Sequence, residues 1–89
     1  MSKQVLLEVP ESVFAALRSG PEEVARELRL AAAAKWYEMG KLSQAKAAEL
    51  AGLSRHDFLV SLARFQVSPF QETPAELAEG LAREKQVGG

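Results

Sequence analysis

Apolar and polar residues alternate from Lys3 to Val9: Val5, Leu7 and Val9 fall on one side, Gln4, Leu6 and Glu8 on the other. A period of two predicts a half-buried strand. A lone strand in a helical chain needs a partner, either the same segment of a second copy or the short extended piece Gln66–Phe70. Beyond Pro10 the period lengthens to that of a helix. Pro10 suits a first helical turn, and Val13, Phe14 and Leu17 form one stripe of a short helix reaching about Arg18. Ser19-Gly20-Pro21 ends it. Ser19 and Glu22 have the spacing of a capping box, with Pro21 inside the first turn.

A long helix is then predicted over Pro21–Met39. Glu22 and Glu23 suit its positive N-terminal end and Lys35 its C-terminal end, and Gly40 is a natural residue just past the end. In its first half Val24 and Leu28 point inward, with Arg26, Glu27 and Arg29 outward. Its second half, Leu30–Tyr37, is apolar on nearly every side, the pattern of a helix buried on several sides. It reads as the central strut, with Trp36 and Tyr37 in the core or an interface and the alanine run admitting a close neighbour.

Two short helices follow. Ser43 caps Gln44–Ala51, Gly52 leaves that helix in a left-handed conformation, and Leu53 points back to the core. Ser54 caps the next helix, with Asp57 three residues on. That helix runs from Arg55 to about Phe65, with Phe58, Leu62 and Phe65 on one face. Thr73-Pro74-Ala75-Glu76 is a further start signal, for a last helix over residues 74–86 with Leu77 and Leu81 as its narrow apolar stripe. The expected fold is mainly α: a short N-terminal strand, a helical strut and a helix-turn-helix over Ser43–Phe65, making one domain of residues 1–70, followed by an acidic helical tail, residues 71–89.

The helix-turn-helix reading rests on small residues where two helices cross, a glycine in the turn, and apolar residues facing in. Ala47, Ala48 and Ala51, then Gly52, then Leu53 and Phe58 meet those needs. If the unit reads DNA, the second helix enters the major groove by its N-terminal end, led by Ser54, Arg55 and His56. Arg55 could grip a guanine edge with two hydrogen bonds. Gln44, Lys46 and Lys41 would contact phosphates, which position the protein without reading sequence. Leu59 and Val60, predicted to point outward on the same helix, and Asp57 beside the reader favour a protein partner instead. On that reading Leu59 and Val60, with Leu77 and Leu81 of the tail, are the partner-binding residues.

Charge modifies this picture only locally. The 89-residue chain has a net charge of −1. Its one positive block is residues 41–70, where Lys41, Lys46, Arg55 and Arg64 outnumber Glu49 and Asp57. With no cysteine, a single histidine, His56, and no carboxylate–histidine spacing, no metal site is expected. No glycine-rich phosphate loop or nucleophile motif is present, so neither an enzyme nor a cofactor is expected. Val5-Leu6-Leu7 is too short for a signal sequence and no stretch would span a membrane, which predicts a cytoplasmic protein. A chain this small has a thin core and often gains stability from a second copy; a homodimer is expected.

The stretch Gly40–Phe58, GKLSQAKAAELAGLSRHDF, resembles the signature of a family of small prokaryotic proteins with an expected helix-turn-helix, described as antitoxin-like partners of PIN-domain toxins. The opening is similar too: a short strand, Val9-Pro10-Glu11, a short helix, then a long helix with Glu27-Leu28 and Trp36-Tyr37. The resemblance covers about residues 4–70. It implies the antitoxin half of a type II toxin–antitoxin pair: a DNA-binding dimer that represses its own operon, plus a segment that blocks a PIN-domain ribonuclease. Gln44-Ala45 stands where that family has a bulky aliphatic residue and then glycine. Residues 3–39 also resemble a ribbon-helix-helix, in which Gln4, Leu6 and Glu8 would face DNA. That trio suits the task poorly, so the strand is expected to serve dimerisation or structure. The acidic tail helix is a plausible ligand for a groove on a partner.

Overall fold

A computed structural model describes residues 2–70. Four α-helices run in order: α1 (Glu11–Leu17), α2 (Pro21–Glu38), α3 (Gln44–Ala51) and α4 (Arg55–Ser61), the last followed by a 3-10 turn, Leu62–Phe65. The helix expected over residues 74–86 lies outside the described residues.

α2 is the strut. Leu30, Ala33, Ala34 and Tyr37 are buried along it, and Ala47 and Ala48 of α3 close against them. Alanines on both sides let the two backbones approach. Phe58 and Leu62 fill the far side of this core, and Val67 closes it from the segment beyond the 3-10 turn. The Tyr37 and Phe58 rings meet edge to face, centroids 5.9 Å apart at 76°, an arrangement the ring quadrupoles favour. α1 buries no residue completely. Val13 and Phe14 are half-buried, so α1 is a flank and not part of the core.

Both serine caps form. Ser43 Oγ accepts from the Lys46 amide and Ser54 Oγ from the Asp57 amide, each at 3.1 Å. Gly52 takes the expected left-handed conformation, φ +73°. The same device ends α1, α2, α3 and the 3-10 turn. Arg18, Gly40, Gly52 and Gln66 all have positive φ. At each, the next residue donates back five positions, to Phe14, Trp36, Ala48 and Leu62 respectively, the bond that satisfies open carbonyls at a helix end.

Several expectations need correction. Residues 3–9 form no strand, and no strand occurs among the described residues. Nothing among the described residues offers this segment a ladder, and Val5, Leu6 and Leu7 stand exposed. Gln66–Phe70 does not pair with it; instead, Val67 joins the core. The Ser19–Glu22 capping box does not form either. Gly20 is the N-cap of α2, without a side-chain cap bond, and Ser19 Oγ donates back to the Leu17 carbonyl. Leu28 is 43% exposed, so only Val24 of the inward pair is buried. α4 stops at Ser61, where Ser61 Oγ donates to the Asp57 carbonyl. The remaining turn to Phe65 tightens to 3-10.

Candidate nucleic-acid interface

The site expected from the sequence is the α3–turn–α4 unit, and the structure gives its residues unequal parts. Ser54 is occupied as the cap of α4. Arg55 and His56 are the first two residues of α4 and both are exposed. Lys46 is exposed on α3 and meets Glu49 at 3.4 Å, a surface pair of small energetic weight. Lys41 is exposed at the entry to α3.

Gln44 holds the unit together. Its side-chain oxygen accepts from Arg55 Nη2 at 2.8 Å, across the turn from the first residue of α3 to the first of α4. Its amide nitrogen donates at 3.1 Å to the Tyr37 hydroxyl and at 3.1 Å to the Pro69 carbonyl. The Tyr37 hydroxyl in turn donates to that carbonyl at 2.7 Å. A polar chain thus runs from the Pro69 backbone through buried Tyr37 and half-buried Gln44 to exposed Arg55. Among the described residues no buried side-chain polar atom is left without a partner.

The turn is braced from α2. Arg29 Nε donates to the Leu50 carbonyl at 2.8 Å, satisfying an open carbonyl at the end of α3. Its guanidinium lies over Gly52, with Nη2 3.3 Å from where a Cβ would stand. Arg64 pairs with Glu27 of α2 and lies 5.5 Å from the centroid of the Phe65 ring. Arg64 therefore ties the 3-10 turn to the strut, and Lys41, Lys46, Arg55 and His56 are exposed near the turn, as is Arg29 itself.

The proposed partner-binding pair separates. Leu59 is half-buried against the core, whereas Val60 is 62% exposed. The helix period explains this, because Leu59 lies next to buried Phe58 round the helix and Val60 a further step away from it. Leu77 and Leu81 lie outside the described residues. Sequence reasoning missed Tyr37, Pro69 and Arg29 as members of the site. For Tyr37 a signal existed: a phenol in an otherwise apolar stretch needs a partner for its hydroxyl. Arg29 read as one outward charge among three. No group of three or more His, Asp or Glu residues suited to a metal ion occurs among the described residues, and no described helix is long and apolar enough to cross a membrane.

An α3–α4 pair joined by a capped three-residue turn, with a cation leading the second helix, belongs to a small, mainly helical protein. Over residues 1–86 the sequence matches the family described as Uncharacterised protein family (UPF0175), and the chain belongs to that family. A UPF0175 protein of Aeropyrum pernix is 40% identical over 80 residues, covering 90% of this chain and 84% of the relative. A second UPF0175 protein of the same organism is 40% identical over 62 residues, covering 70% and 78%. No solved structure matches.

Proposed function

We propose that this protein is the antitoxin-like half of a type II toxin–antitoxin pair. It binds the DNA upstream of its own gene through a helix-turn-helix made of α3 and α4, and neutralises a partner toxin. The observation that carries the DNA-binding part is Arg55. It heads α4 at an exposed helix N-terminus and is held there by Gln44 of the preceding helix. In such motifs the N-terminal residues of the second helix meet base edges, and an arginine there suits a guanine. Lys41 and Lys46 stand at α3, where phosphate contacts are made. The toxin-neutralising part rests on the resemblance stated above, with a PIN-domain ribonuclease as the partner it implies and the acidic segment bearing Leu77 and Leu81 as the blocking element. The protein acts as a homodimer without catalysis of its own, in the cytoplasm.

The test is titration of the purified protein against its own upstream duplex and a scrambled duplex, at two salt concentrations. Specific binding that weakens steeply with salt is expected. Arg55→Ala should lose about ten- to hundredfold in affinity for the upstream duplex, the discrimination of one good bidentate contact. Equal binding to both duplexes by the unaltered protein would sink the sequence-reading role.

A second reading has its own observation. Apolar side chains stand in water at several places, Leu6 at 97%, Phe70 at 89% and Val60 at 62%, and exposed apolar groups mark protein contacts when they gather. Here α3 and α4 are only a scaffold and the protein is a protein-interaction module. Co-expression with the neighbouring gene products distinguishes the two: this reading requires a stable complex together with no salt-dependent DNA affinity.

A further inference from the structure

We propose that Gln44 is a positioning residue for Arg55, and that Tyr37 and the Pro69 carbonyl decide which way its amide faces. The inference rests on the reading that α4 meets DNA, and it replaces a phosphate contact at Gln44 with a role inside the protein.

An amide can point either way, and here the chemistry of its neighbours leaves one choice. The Pro69 carbonyl only accepts, and it lies 3.1 Å from Gln44 Nε2. The Tyr37 hydroxyl uses its single proton on the same carbonyl, at 2.7 Å, so toward Gln44 it accepts, also at 3.1 Å. A guanidinium only donates, and Arg55 Nη2 lies 2.8 Å from Gln44 Oε1. Reversing the amide would set its oxygen against the Pro69 carbonyl oxygen and its NH2 against the guanidinium. The Pro69 carbonyl and the Arg55 guanidinium, neither of which can change its role, agree on one orientation.

The consequence falls on Arg55. A surface arginine samples many rotamers, and ordering one on binding weakens the complex. Gln44 orders this arginine beforehand, using one N–H of the five that guanidinium carries and leaving others for a base edge. Tyr37 is completely buried and cannot touch a ligand, so its effect on recognition is indirect, through Gln44 or through the Phe58 ring of α4. Because Pro69 follows Val67 of the core by two residues, the arginine's pose also depends on how that segment is held.

The experiment has a free-protein arm and a DNA arm. In the free protein, side-chain NMR relaxation of the Arg55 Nε–H should report an ordered guanidinium in the unaltered chain. It should be mobile in Gln44→Ala and partly released in Tyr37→Phe, with backbone amide spectra showing that both variants stay folded. Equal Arg55 mobility in all three overturns the proposal, whether or not the protein binds DNA. In the DNA arm, Gln44→Ala should weaken binding to the upstream duplex by about three- to tenfold, the effect of one unordered side chain, and leave binding to a scrambled duplex unchanged. In an Arg55→Ala background the Gln44→Ala effect should vanish, since residues acting through one another are not additive. Additive losses, or equal losses on both duplexes, would identify Gln44 as a direct phosphate contact and overturn the positioning role. Absence of specific binding by the unaltered protein would instead count against the DNA-reading function, with the relaxation arm still deciding whether Gln44 holds Arg55.

Discussion

Arg18 and Gln66 occupy left-handed positions at helix ends, at φ 53° and 55°, where glycine is usual because a Cβ is disfavoured there. Gly40 and Gly52 fill the equivalent positions at the ends of α2 and α3. The glycine ends were legible in the sequence because glycine announces that geometry; the other two were not, because nothing in an arginine or a glutamine does. This difference yields two opposite predictions. Arg18→Gly should stabilise the protein by up to about 1 kcal/mol, relieving the left-handed cost on an exposed residue. A rise of a few degrees in thermal midpoint would show it, and a fall would mean that the arginine side chain contributes packing of its own. Gly52→Ala should destabilise by roughly 1–2 kcal/mol, and the new Cβ would press on Arg29 at 3.3 Å. The serine caps were equally legible, since hydroxyl residues before a helical stripe have one dominant use. Ser43→Ala and Ser54→Ala should each cost about 1 kcal/mol in chemical denaturation. A loss at Ser54 should also loosen the first turn of α4, where Arg55 sits.

At the level of elements, the helices were readable and their mutual bracing was not. Periodicity and caps place α2, α3 and the start of α4 within a residue or so of where they lie. They do not say that Arg29, an outward charge on α2, reaches the Leu50 carbonyl at the end of α3. Nor do they say that Gln44 reaches past Tyr37 to Pro69. Such bonds depend on how helices are set against one another, and sequence spacing within one helix carries no record of that. The strand fails for a related reason. Alternation over residues 3–9 describes a surface suited to a sheet, but a ladder needs a second backbone, and the described part of the chain supplies none. The Arg29 brace makes a local prediction. Arg29→Ala should cost about 1 kcal/mol, the worth of a net hydrogen bond. The loss should concentrate at the turn, with the Gly52 and Leu53 amides, bonded to the Glu49 and Ala48 carbonyls, exchanging with solvent faster than in the unaltered protein. Arg26→Ala, on the same helix, is the control. If both variants exchange alike, Arg29 does not hold the turn.

The whole molecule raises the question of what covers Val5, Leu6 and Leu7, which are 80%, 97% and 67% exposed. If the alternating segment pairs with its own copy about a two-fold axis, Val5, Leu7 and Val9 of both chains share one face, and the strand missing from the single chain appears in the dimer. That arrangement bears on DNA binding through charge. Each chain brings Lys41, Lys46 and Arg55 to the α3–α4 unit, and the overall net charge of −1 gives no general attraction to DNA. The two phosphate-contacting lysines of one chain predict a slope of log affinity on log salt of about −2, and the four of a dimer about −4. Leu7→Glu should leave the folded chain intact, because Leu7 lies outside its core. It should set like charges against one another across the paired strands and shift the protein to a monomer by sedimentation. The same variant should then show the shallower salt slope and a weaker affinity for the upstream duplex. An unchanged mass would remove residues 3–9 as the dimer seam. A monomer with an undiminished slope would show that one copy alone supplies the phosphate contacts, and the two-fold arrangement would then have no part in binding DNA.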